Sequence, residues 1–264
     1  MSSVMNDRAV ALHLCLGVVS VGLFAASGNA AILDVPLNDT NAKDNFLYNN
    51  GPTSNFAGSG LFYYDNRQAQ LDKARPIIGF DLPTLPAGST ITNVKLRLTT
   101  QQYTFIDVNN ASAVVPWNFS VHQMLTDWSE TTSNWNERSA GNPWSAPGLS
   151  AGADYAAAPT ATVLVNSPTT GGTQLFWDIT ALYLNWVGGS AQNYGLSIQG
   201  PAGDPTRDTN GGDTTDGVFR CYNTEFANDS LRPHLIIEYI PAPGSAAALA
   251  MGVMAAGRRR RALR

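Results

Sequence analysis

Cysteine, histidine and charge are all scarce in this chain, and each shortage excludes a class of protein. Of the two cysteines, Cys15 lies in a segment read below as a removable leader, which leaves Cys221 as the one thiol of the body. An intramolecular disulfide framework is therefore excluded, and the fold must rest on its hydrophobic core. The histidines are His13, His122 and His234, and none has a cysteine or histidine neighbour at zinc spacing, so His122 and His234 read as structural. One Gly-x-Ser-x-Gly string occurs, Gly148-Leu149-Ser150-Ala151-Gly152, but it lies in a Pro- and Gly-rich stretch with no strand-to-helix pattern around it, and no glycine-rich phosphate loop followed by lysine occurs. Charged residues make up only 14% of the chain, and five of its sixteen basic residues fall in the last seven positions. Between positions 31 and 243, ten basic residues face nineteen acidic ones, a balance of −9. Nucleic acid, whose phosphates call for a basic face, is excluded as a partner on that ground. An acidic body suits an extracellular protein that stays soluble or meets divalent cations.

What is plentiful is apolar side chain and turn-former. Hydrophobic residues reach 44%, and 24 glycines and 15 prolines punctuate the sequence at short intervals, as strand-and-turn proteins require.

The two ends read as addresses. After Arg8, residues Ala9 to Ala26 are nearly continuous in Ala, Leu, Val, Gly and Phe, and Ser27-Gly28-Asn29-Ala30-Ala31 follows. This is a secretory signal pattern with cleavage expected after Ala30. A membrane anchor fits less well, because the apolar part is short, is broken by His13 and ends in small residues. At the other end, Pro241-Ala242-Pro243 precedes an apolar stretch from Ser245 to Gly257 and then Arg258-Arg259-Arg260-Arg261. That order of parts resembles the bacterial PEP-CTERM sorting signal, with Ala242 standing where the type motif has Glu. The resemblance implies transient inner-membrane association, arginines held in the cytoplasm, and cutting near the prolines by an exosortase-type enzyme, after signal peptidase has acted at the other end. About 13 apolar residues span only about 20 Å as a helix, too little for a permanent anchor.

Between the ends the pattern is strand after strand. In Ile91-Thr92-Asn93-Val94-Lys95-Leu96-Arg97-Leu98-Thr99, Val94, Leu96 and Leu98 alternate with Lys95, Arg97 and Thr99, which predicts a half-buried strand. Further strands are expected at residues 46–48, 61–64, 75–82, 119–124, 162–165, 174–177, 195–199, 218–222 and 234–239. Only Ile179 to Val187 reads helical, with Asp178 or Thr180 as cap and Leu182 and Trp186 one turn apart. No internal repeat and no linker-like break appears. The expectation is an all-β, jelly-roll-like β-sandwich with one short helix over residues 31–239, flanked by a signal peptide at 1–30 and a C-terminal sorting helix within 240–264.

Five blocks then occur in an order that resembles the DNRLRE domain of bacterial and archaeal surface proteins, a relative of carbohydrate-binding-module sandwiches. They are Asp44-Asn45-Phe46-Leu47 with Asn55-Phe56-Ala57-Gly58; Ile77-Ile78-Gly79-Phe80-Asp81-Leu82 through Val94-Lys95-Leu96-Arg97-Leu98; Asp127-Trp128-Ser129-Glu130 through Trp135-Asn136; Trp177-Asp178-Ile179-Thr180 through Trp186, with Asn193-Tyr194-Gly195-Leu196; and Asn228-Asp229-Ser230-Leu231-Arg232-Pro233, where only Leu231-Arg232 clearly matches the naming hexapeptide. The resemblance implies extracellular location and, in some members, polysaccharide binding. It does not imply catalysis.

Candidate sites are few. Trp128, Trp135, Trp177 and Trp186 read as core. Trp117 and Trp144 sit in Pro-flanked loops and, with Tyr103, are the candidates for a flat aromatic platform under a sugar ring; plugging the ends of the sandwich is the equal alternative. Glu130 has a catalytic look but no convincing second carboxylate, as a glycosidase needs, and reads as an acceptor that ties a loop. Asp208, Asn210, Asp213 and Asp216 lie among glycines and could give calcium several of its six to eight oxygens, although a solvated acidic loop explains them equally well. No cofactor is required. The function expected is that of an exported, non-catalytic structural or adhesive protein of the extracellular matrix or cell surface, the alternative being a carbohydrate-binding module acting through loop aromatics. A polysaccharide-degrading enzyme ranks third.

Overall fold

The computed structural model describes residues 29–67, 72–107, 110–114, 117–165, 171–200 and 217–242, and it is an all-β protein. Its organising element is β5, Thr90–Asp107, long enough to belong to two sheets. The first half of β5 is flanked by β14 (His234–Ile240) and β11 (Gln174–Asp178), and β14 is flanked in turn by β1 (Ala31–Pro36). The second half pairs with β13 (Gly217–Tyr222), which continues through β3 (Leu61–Arg67) to β4 (Asp72–Phe80). On the same edge of β4 as β3 lie β12 (Leu196–Gln199), then β7 (Trp117–Gln123) and β10 (Ala161–Val165). The opposite edge of β4 carries β2 (Ala42–Tyr48), since Ala74 pairs with both Asp65 and Tyr48. A short strand, β6 (Asn110–Val114), pairs back on the far end of β5. All these pairings are antiparallel, so the layers are built from hairpins and long returns rather than crossover helices.

Side chains from both sheets meet in one core. Leu96, Leu98, Trp177, Leu235 and Ile237 come from the first, and Phe62, Phe119, Ile198 and Phe219 from the second. Phe119 and Phe219 stack with ring centroids 4.2 Å apart. Trp177 ties the layers together, since its indole N–H donates to the carbonyl of Phe119 at 2.9 Å and so pairs a polar group that burial would otherwise penalise. The helix α1 (Thr180–Val187) covers part of this core with Leu182, Tyr183 and Trp186. Its start is fixed by the Asp178 carboxylate, which accepts the Thr180 backbone N–H at 2.9 Å.

The period-two reading of residues 91–99 places Val94, Leu96 and Leu98 in the core as expected, but the other face is solvated only in part, with Lys95 half-exposed. Thr99 is fully buried and Arg97 is 9% exposed. The cause is the return of the chain before β14: the Arg97 guanidinium reaches the Ser230 carbonyl and the Asp34 carboxylate, and His234 Nδ1 lies 2.5 Å from that same carboxylate. Strand β1, absent from the sequence reading, supplies Asp34 from the sheet's edge.

A second, smaller core sits on the outside of β2 and β4. Leu47 and Ile77 face away from the main core and meet Met124, Trp128, Trp144 and Leu149 from the long segment between β7 and β10. That segment contains the hairpin of β8 (Glu137–Ser139) and β9 (Asn142–Pro143). Gly148, at φ +74°, leaves the space in which the Trp135 ring lies, and Gly195, at φ +93°, lets the backbone pass the carbonyl of Ile78 too closely for any Cβ.

Candidate functional site

Strand alternation builds an aromatic pocket against β2 and β3, on the side of β2 opposite the small core. Leu47 points into the small core, and Phe62 and Tyr64 into the main one, so Tyr48, Leu61 and Tyr63 are left on the other side of their strands. Phe46 shares that wall and is buried. A short turn, Ala57–Ser59, brings Phe56 over it, and the two rings stack at 4.6 Å. Tyr48 meets Phe56 edge-on at 6.0 Å and Tyr63 at 6.1 Å. The space enclosed is about 340 Å³, at the low end of the range found for small-ligand sites.

One charged group borders this pocket. Arg220, on β13, pairs in register with Tyr63, and its guanidinium lies 5.0 Å over the Tyr63 ring. The Tyr63 hydroxyl donates to the buried Asp65 carboxylate at 2.6 Å, which fixes the orientation of the ring. Rings held by neighbours and gathered round an open space, with Tyr48, Phe56 and Tyr63 half-exposed, can stack on the apolar face of a sugar without first being ordered.

The residues singled out from the sequence lie elsewhere. Trp144 is 4% exposed, and its indole N–H donates to the Asn134 carbonyl at 2.8 Å. The expectation of an exposed stacking platform there is corrected: Trp144 plugs the small core, because the loop that carries it folds back on β2 and β4. Trp117 is half-buried against the main core at the start of β7, opposite Val165. Tyr103 belongs to β5 opposite Phe219, but its side chain lies outside the described residues. So do Asp208, Asn210, Asp213 and Asp216, and likewise Pro243 and Arg258 to Arg261. Pro241 and Ala242 are described; both are half-buried, with Ala242 against Gly88.

Glu130 ties a loop, as read. Its carboxylate accepts the backbone N–H of Asp44 at 2.9 Å, and the Glu130 carbonyl accepts from Asn55. Beside it, Asp44 is fully buried and accepts from Asn223 Nδ2, Thr224 N and Thr224 Oγ1 at 3.1, 2.8 and 2.7 Å. Burial above all, and then the negative charge of Glu225, push the Asp44 carboxyl well above the usual carboxylate range. Burial raises Glu225 as well. Opposite in sense is Asp127, whose carboxyl is lowered despite partial burial by the Lys43 ammonium at 2.9 Å. Lys43 also lies 4.5 Å from the Trp128 ring and donates to the Trp128 carbonyl, so it clamps the loop to β2. Among the described residues no group of three or more His, Cys, Asp or Glu is arranged to hold a metal ion.

Sequence reasoning missed the aromatic pocket because Tyr48, Phe56, Tyr63 and Arg220 come from separate elements. One signal was legible: in Phe62-Tyr63-Tyr64, strand alternation obliges at least one of three consecutive aromatic rings to face outward. No family model matches this chain, and no curated protein matches it in sequence.

Proposed function

We propose that this is an exported, non-catalytic adhesive protein of the cell surface or extracellular matrix, which grips polysaccharide on the pocket formed by Phe46, Tyr48, Phe56 and Tyr63. The observation that carries the reading is that pocket: four aromatic rings around an open volume of about 340 Å³ on a rigid sheet. Sugar rings present C–H faces that pack on aromatic rings, and a site on strands loses little entropy when it is filled. The family blocks and the leader and tail patterns support export and surface location. Glu130, the one acid with a catalytic look, is engaged in holding β2 to its neighbouring loop, which favours binding over hydrolysis.

The test is affinity electrophoresis of the exported protein through gels containing hydroxyethylcellulose, xylan, galactomannan, alginate or polygalacturonate. At least one polymer should retard the wild type, and Phe56→Ala and Tyr48→Ala should each weaken that retardation about tenfold, the loss expected when one stacking contact of about 1.4 kcal/mol goes. Equal retardation of variants and wild type, with unchanged melting temperatures, removes the pocket from the reading. Release of reducing sugar from any of these polymers would turn it toward catalysis.

A further inference from the structure

The pocket is mostly aromatic, with Ser59 at its rim, and the one charged group among its described lining residues is cationic. Arg220 borders it from β13 beside Tyr63, and among the described residues no carboxylate pairs with its guanidinium. Each of the other arginines of this domain whose side chains are described has a partner, a carboxylate for two of them and backbone carbonyls for Arg75 and for Arg138, which donates to the Asp127 carbonyl at 3.0 Å. Arg97 and Arg232 meet the carboxylates of Asp34 and Asp229, and Arg75 donates to the carbonyls of Gly148 and Leu149. Lys43 and Lys95 have acid partners too, Asp127 and Glu238. The body has ten basic and nineteen acidic residues between positions 31 and 243, yet among the described residues the base at the aromatic pocket has no acid partner.

We infer that the ligand of this pocket is an acidic sugar, whose ring stacks on the aromatic wall while its anionic group meets the Arg220 guanidinium. The inference rests on the polysaccharide reading above and names the class of sugar. A guanidinium presents parallel N–H donors that match the two oxygens of a carboxylate, and it serves a sulfate by the same fork. Its position over the Tyr63 ring holds the donors at the pocket's edge. The negative body repels polyanions at long range, so discrimination falls to this one contact and is strongest for a short acidic segment presented end-on or at a branch.

The experiment titrates the full exported protein with trigalacturonate, with its fully methyl-esterified form, and with a sulfated cellotriose, by calorimetry at low salt. The free acid or the sulfated sugar should bind at least tenfold more tightly than the ester, and whichever does so identifies the anion. Arg220→Gln should abolish the preference, so that free acid and ester bind that variant alike, and Arg220→Lys should restore part of it. Equal affinity for acid and ester, or undiminished acid preference in R220Q, overturns the inference and leaves the polysaccharide reading in place. Failure of all three saccharides and of every neutral polymer to bind removes both. Should R220Q melt well below the wild type, R220K decides: loss of preference in a stable, still cationic variant contradicts the charge argument.

Discussion

The carboxylate of Asp44, with no exposed surface, accepts both hydrogens that Thr224 can give, one from the backbone N–H at 2.8 Å and one from the hydroxyl at 2.7 Å. The Thr224 hydroxyl also lies 3.1 Å from Glu225 Oε1, and it has a single hydrogen to share. Both contacts are satisfied together only when one of the two carboxyls keeps its proton. The upward displacement of both acids, from burial first, agrees with that count.

A pH dependence follows. An acid whose folded pKa lies above its unfolded value of about 3.9 binds more protons in the native state. Its stabilising contribution is complete below that unfolded value and is lost as pH rises through the folded one. Glu225→Gln takes away the nearest negative charge, so Asp44 ionises more easily and the decline becomes shallower. Melting temperatures measured from pH 4 to pH 8 should therefore diverge, with the variant gaining on the wild type as pH rises. Parallel curves would mean that the two carboxyls do not share a proton.

Trp144 serves the loop rather than a ligand. Trp144→Ala removes a buried ring and leaves the Asn134 carbonyl without its donor, and a loss of about 3–5 kcal/mol in urea denaturation is expected. Polysaccharide retardation of the folded fraction should stay at the wild-type value, because Trp144 packs with Leu47 on the opposite side of β2 from Tyr48. A variant of undiminished stability that no longer binds would reverse the assignment.

Export and tail processing are open to one measurement. The intact mass of the protein recovered outside the producing cell should correspond to a chain beginning near Ala31 and ending between Ile240 and Pro243. A mass that still contains Arg258 to Arg261 would show that the tail is retained.

Much of this fold was legible in the sequence wherever a segment's surroundings come from its own strand. The alternation of Val94, Leu96 and Leu98 and the spacing of Leu182 and Trp186 each state locally which side is apolar, and both held. What escaped is what depends on pairing between distant segments. That β5 runs on past Thr99 into a second sheet is decided by its register with β13, which no residue of β5 announces. The burial of Arg97 depends on Asp34 and the turn before His234, both far away in sequence. The aromatic pocket belongs to this second kind, since Arg220 comes beside Tyr63 only through the β3–β13 ladder. Trp144 misled for a related reason: Pro and polar neighbours mark a loop, but they do not say that the loop folds back upon a sheet.

The pairing of Ala31 with Tyr239 at the margin of the first sheet gives the domain a common doorway. The polypeptide enters and departs at one corner, side by side, so a tether at either terminus suspends the sandwich from a single point. Traction on Ile240 would pass into β14, which is held by ladders on both flanks, and many hydrogen bonds would share the load at once.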